Sequence, residues 1–104
     1  MRAITKRLAL ALAVSVAPML PAEAGDAQAG KALAQSWCKS CHVVGPRGSG
    51  TDAVPSFTGI ASDPTLTAER LRTFLANPRH PMPNPQLANT EIEDLVAYIQ
   101  SLKQ

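Results

Sequence analysis

An all-α fold in a single small domain is what this chain predicts, on three observations. Its apolar residues recur at helical spacing in three stretches, each opened by a polar residue suited to cap a helix. No segment alternates strand and helix in the way a parallel sheet requires. At 104 residues there is room for one domain at most.

Residues 1–24 are expected to lie outside that domain. Arg2, Lys6 and Arg7 form a basic front, residues 8–17 (LALALAVSVA) are apolar except for Ser15, and residues 22–24 (AEA) offer small side chains before a cleavage point. This is the three-part layout of a secretory signal peptide. A membrane anchor is the rival, but a bilayer span needs roughly 20 apolar residues, and Pro18 and Pro21 interrupt this run. Cleavage is expected between Ala24 and Gly25, leaving residues 25–104 as an exported domain without stable membrane insertion. The expected compartment is the periplasm, where a cysteine meets oxidising conditions.

Processing changes the electrostatics. The full chain carries ten Lys+Arg and eight Asp+Glu; Arg2, Lys6, Arg7 and Glu23 precede Gly25, so seven of each sign remain. A near-neutral domain without a basic cluster gives no support for nucleic-acid binding. Residues 25–104 also hold only Trp37, Phe57, Phe74 and Tyr98 as aromatics. So short a chain buries a modest core and is expected to need a staple: a disulfide, a metal or a cofactor.

The first helix is predicted from Asp26 to Trp37, with Asp26 as N-cap and Gly30, Leu33, Ala34 and Trp37 on one face. A short helical turn is predicted from Ser56 to Ala61. The next helix spans Ala68 to Ala76, with Thr67 as N-cap, Leu66 and Leu71 placed as a hydrophobic staple, and Leu71, Phe74 and Leu75 as its apolar stripe. Asn77 and Pro78 end it. The last helix opens on a Thr90–Glu93 capping box, and Ile92, Leu95, Val96, Ile99 and Leu102 form its buried face. Between these elements lie a glycine-rich loop, residues 45–55 (GPRGSGTDAVP), and a proline-rich one, residues 78–85 (PRHPMPNP). Four prolines in eight residues stiffen the second loop. It carries Met82, the only methionine beyond residue 24, and His80, the only histidine besides His42.

The chemistry concentrates in Trp37–Val44, WCKSCHVV, which holds both cysteines. A thioredoxin-like dithiol needs a βαβ setting that is missing here. A structural zinc site needs four protein ligands, and no second closely spaced pair exists. A plain disulfide leaves His42 without a role. Cys-x-x-Cys-His is, in contrast, the attachment signature of c-type haem. On a helical turn Cys38, Cys41 and His42 project from one side, so both thiols can form thioethers with the porphyrin while His42 turns its outer nitrogen to the iron. On the opposite face Met82 is the favoured ligand: Pro81 and Pro83 reduce the freedom an unbound loop would regain. His80 is the rival, and the choice sets the potential.

The same residues resemble small bacterial class I cytochromes c over nearly all of residues 25–104. GDAQAGKALAQSWCKSCH (residues 25–42) is similar to the family's N-terminal helix and haem motif. VPSF (residues 54–57) is similar to its proline segment, HPMP (residues 80–83) to its methionine loop, and EDLVAYIQSL (residues 93–102) to its C-terminal helix. The resemblance implies a cytochrome c fold, with N- and C-terminal helices packed crosswise around one covalently bound haem c. It also implies that the Pro55 carbonyl accepts a hydrogen bond from His42, with Pro46 as second candidate, and that Tyr98 packs on Gly30. Ala34 departs from the family, which often has a larger residue there.

With iron held by His42 and Met82, no open position remains for a substrate. The expectation is therefore not an enzyme but an electron carrier, exchanging single electrons with redox partner proteins, as a monomer or as a subunit of a redox complex. The methionine ligand favours the reduced state. Lys39, Arg47 and Arg79 are candidates for pairing with propionates or partner charges. Two alternatives stand beside this reading: a dedicated acceptor subunit within a periplasmic dehydrogenase complex, and a gas-binding haem protein in which Met82 stays off the iron.

Overall fold

The computed structural model describes residues 11–15 and 25–104, so most of the predicted signal peptide and the cleavage point at Ala24 lie outside the described residues. Four α-helices follow in order: α1 (Ala27–Leu33), α2 (Phe57–Ser62), α3 (Ala68–Ala76) and α4 (Asn89–Ser101), with a π-helical segment, Ala34–Cys38, continuing α1. Among the described residues there is no strand. None of their helices is long and apolar enough to cross a membrane.

Local chemistry accounts for the helix starts. The Asp26 carboxylate accepts the N–H groups of Gln28 and Ala29, two donors that a helix start leaves without partners. Ser56 Oγ accepts from the Gly59 N–H at 3.1 Å and Thr67 Oγ1 from the Arg70 N–H at 3.2 Å, which sets the first turns of α2 and α3. At α4 the expected Thr90–Glu93 pair does not form. The helix starts two residues earlier on extended Ala88, whose N–H donates to Glu91 Oε1 at 2.9 Å. Glu93 is engaged elsewhere: its Oε1 accepts from Arg72 Nε at 2.7 Å, tying α4 to α3.

The core is organised on α4, which contacts α1, α2 and α3. Ile92, Leu95, Val96, Tyr98 and Ile99 are buried there, Leu95 to 1 % exposure, against Ala34, Val44, Phe57, Ala61, Leu71 and Leu75. The closest helix contact is between α1 and α4. A Cβ on Gly30 would collide with the Asp94 carbonyl and come within 2.8 Å of Tyr98 Cβ, so only glycine permits the approach. The Asp26 N–H also donates to Asp94 Oδ1 at 2.7 Å, fastening the start of α1 to the same turn of α4.

Two apolar residues fall off their predicted faces. Trp37 is 64 % exposed. From Ala34 onward the turn widens, with the Lys39 N–H bonding to the Ala34 carbonyl at 3.0 Å, five residues back. Each residue of a π-turn advances by a smaller angle than in an α-helix, so Trp37 lags behind the buried stripe. Ala34, at the start of the widened turn, is fully buried in the core. Phe74 is 39 % exposed, at the edge of the α3 stripe.

Candidate functional site

The π-turn at the end of α1 delivers the chain into the cysteine motif. Both the Cys41 N–H (3.1 Å) and the His42 N–H (2.9 Å) bond to the Cys38 carbonyl. One helical turn therefore groups Cys38, Cys41 and His42 on successive positions of the same side. The cysteines are free thiols, Cys38 half-buried and Cys41 exposed. Burial holds the Cys38 thiol above the usual range, because the thiolate would lose solvation. Among the described residues no group of three or more His, Cys, Asp or Glu side chains converges as a metal cluster would.

His42 is oriented by the chain. Its Nδ1 lies 2.7 Å from the Pro55 carbonyl oxygen. A carbonyl only accepts, so Nδ1–H is the donor, and Nε2 is the ring nitrogen left over for a ligand. Pro46 does not take this role; it lines a surface depression that His42 and Tyr98 also border, together with Lys31 and Lys39. Residues 55–57 are docked alongside, since the Phe57 N–H donates to the Val43 carbonyl at 2.9 Å. The Phe57 ring sits 5.5 Å from the His42 ring and 6.3 Å from that of Tyr98. Tyr98 Oη in turn donates to the Val44 carbonyl at 2.6 Å.

The proline-rich loop turns tightly over Arg79 to Met82, closed by the Met82 N–H on the Arg79 carbonyl at 3.0 Å. Met82 is half-buried there, whereas His80 is exposed, as are Lys39, Arg47 and Arg79. Half-buried Ile60, Leu66 and Leu87 pack against the core edge.

These residues fit a covalent haem. The two thiols lie in one helical turn with the imidazole, neither thiol is spent in a disulfide, and the imidazole has its inner nitrogen occupied and its outer one available. His42, Cys38 and Cys41 were legible as a motif. Nothing in the sequence marks Phe57 and the Tyr98 hydroxyl as neighbours of His42, although VPSF is the segment that brings Phe57 in. The link from Tyr98 to Val44 spans 54 residues and leaves no local signal.

Comparisons with known proteins place the chain among cytochromes. A family model described as cytochrome c oxidase, cbb3-type, subunit III matches residues 25–99. Cytochrome c-552 of Bradyrhizobium diazoefficiens is 43% identical over 97 residues, covering 92% of this chain and 90% of that protein. No solved structure matches.

Proposed function

Because the chain belongs to the cytochrome c family, as a small monohaem class I member that carries electrons on haem c, we propose that it is a periplasmic carrier with His42 and Met82 as axial ligands. Cys38 and Cys41 would hold the haem through thioethers. When bound, the haem supplies a one-electron iron couple.

The observation that carries the reading is the bond from His42 Nδ1–H to the Pro55 carbonyl at 2.7 Å. A histidine that binds metal through one ring nitrogen commonly donates its other N–H to such an acceptor, which fixes the tautomer and makes the ligating nitrogen more basic. Met82 closes the opposite side from a turn stiffened by Pro81 and Pro83, so little entropy is regained by letting go. With both ligands supplied by the chain there is no place for a substrate, and electrons would pass at the edge of the bound haem. The balance of seven positive and seven negative charges in residues 25–104 favours a partner surface of modest charge. Weak redox complexes bury little area. Export follows from the basic front, apolar run and AEA site of residues 1–24.

A second reading, that the chain serves as the haem c subunit of a larger redox complex, is favoured by the family description, which is that of an oxidase subunit. A dehydrogenase complex is another such setting. Gel filtration and co-purification from the native periplasm separate a free carrier from a subunit.

The deciding experiment is absorption spectroscopy of the purified protein in both redox states, with carbon monoxide added to the reduced form. Haem that survives denaturation on the chain, a methionine-to-iron band in the ferric spectrum and resistance to carbon monoxide are expected. Prompt stoichiometric carbon monoxide binding at neutral pH would overturn ligation by Met82.

A further inference from the structure

Three consecutive residues of the proximal segment are each held by a bond from across the chain. His42 Nδ1–H reaches the Pro55 carbonyl at 2.7 Å, the Val43 carbonyl accepts the Phe57 N–H at 2.9 Å, and the Val44 carbonyl accepts Tyr98 Oη–H at 2.6 Å. The first two partners come from residues 55–57; the third comes from α4. Between Val44 and Pro55 lies the loop containing Gly45, Gly48 and Gly50. That loop therefore leaves the fold at a point fixed by Tyr98 and returns at a point fixed by His42.

We propose that Tyr98 is a positioning residue for His42: through its hydroxyl bond to Val44 and its ring contact with Phe57, it sets the geometry of the His42–Pro55 bond and thereby the donor strength of His42 Nε2. The inference rests on the reading of His42 as an axial ligand.

Packing alone does not account for the hydroxyl. Tyr98 is 6 % exposed, and its contact with Gly30 is made at Cβ, which phenylalanine would keep. Bringing a hydroxyl into a core costs free energy unless it is bonded, and here its partner is the carbonyl two residues beyond His42. Glycine-containing chain such as residues 45–55 has many conformations available once an anchor is lost. Release of Val44 would thus be felt at both neighbouring bonds. A looser bond from His42 to Pro55 leaves the Nδ1 proton more fully on the ring, so Nε2 donates less, ferric iron is less favoured and the potential rises.

Tyr98 is the sole tyrosine of the chain, so two changes isolate its hydroxyl in the haem-loaded protein. Tyr98→Phe removes it. Growth on 3,5-difluorotyrosine makes it a stronger donor, assayed at mildly acidic pH where it stays protonated. The readouts are the midpoint potential, the paramagnetically shifted His42 ring protons and the exchange rate of the Phe57 amide. For Tyr98→Phe we expect a higher potential, displaced His42 signals, and Phe57 exchange faster by roughly fivefold to tenfold, the loss of one ordinary hydrogen bond, with α3 amides unchanged. The fluorinated protein should move the potential the other way. Should Tyr98→Phe fail to fold, the fluorinated protein alone decides. An unchanged potential with unmoved His42 signals overturns the inference, whatever happens to melting temperature. Absence of shifted His42 signals from the unmodified protein would instead overturn the ligation beneath it.

Discussion

Gly30 on α1 and Tyr98 on α4 meet so closely that a methyl group on residue 30 would lie 2.8 Å from Tyr98 Cβ, with the Asp94 carbonyl in the way as well. Because part of the obstruction is backbone, no rotamer change can relieve it. Gly30→Ala must push α1 and α4 apart and loosen the core that α4 organises. Overpacking a core usually costs about 1–3 kcal/mol, occasionally more, and a backbone collision belongs at the top of that range. The expected outcome is a loss of about 3 kcal/mol in denaturant unfolding of the haem-loaded protein, with its visible spectrum retained.

The pair Arg72 Nε–Glu93 Oε1, at 2.7 Å, links α3 to α4, with side chains 39% and 29% exposed. Solvent reaches both partners, and pairs of this kind contribute about 0.2–1 kcal/mol. Glu93 Oε2, however, is buried without a partner. Removing only Arg72 therefore leaves a carboxylate without the counter-charge that it has among the described residues. A double-mutant cycle of Arg72→Ala and Glu93→Gln is expected to give a coupling of about 0.5–1 kcal/mol, reduced by salt. A coupling that salt leaves untouched would count against an ionic origin.

Much of this arrangement was legible in the residues, and the exceptions have two causes: distant partners and one local change of helical register. Asp26, Ser56 and Thr67 act on N–H groups two or three residues away, so their capping can be read locally. The buried face of α4 follows from its 3.6-residue period. Most of what could not be read depends on distant partners. Glu93 is drawn to Arg72 from 21 residues away, and the helix then starts at Ala88 with Glu91. Trp37 leaves its predicted face because the turn before it widens into a π-helix. Such a turn replaces one hydrogen-bond register with another, and the composition of residues 34–38 does not announce it. In the site, the grouping of Cys38, Cys41 and His42 is a matter of spacing, whereas the bond from Tyr98 to Val44 depends on how α4 docks.

Burial raises the Tyr98 hydroxyl above its ordinary pKa of 10.0, because the phenolate would lose solvation. The unfolded chain then gives up this proton at a lower pH than the folded one. The stability tied to it is fully present below about pH 10 and is lost as pH rises from there through the folded-state pKa. Other groups titrate in the same range, so the measurement is a difference: denaturation midpoints of the native protein and of Tyr98→Phe between about pH 9 and pH 11.5. The native protein is expected to lose stability more steeply, and parallel curves would remove Tyr98 as the cause.

Met82 and His80 sit two residues apart in the same stiff turn, and their variants separate the two candidate ligands. Met82 is half-buried and His80 exposed. If Met82 faces the iron, Met82→Ala vacates an axial position: the reduced protein should gain carbon monoxide binding, and the ferric form should lose its methionine-to-iron band. Met82→His exchanges a soft thioether for an imidazole that favours ferric iron. The potential should fall by on the order of 0.1–0.3 V, part of the roughly 0.8 V span that axial ligands cover. His80→Ala should leave band, potential and carbon monoxide resistance as they were. The opposite assignment, with His80→Ala opening the iron and Met82→Ala silent, would make the carrier a bis-histidine protein of low potential. Potentiometry and a carbon monoxide titration on the three variants decide between them.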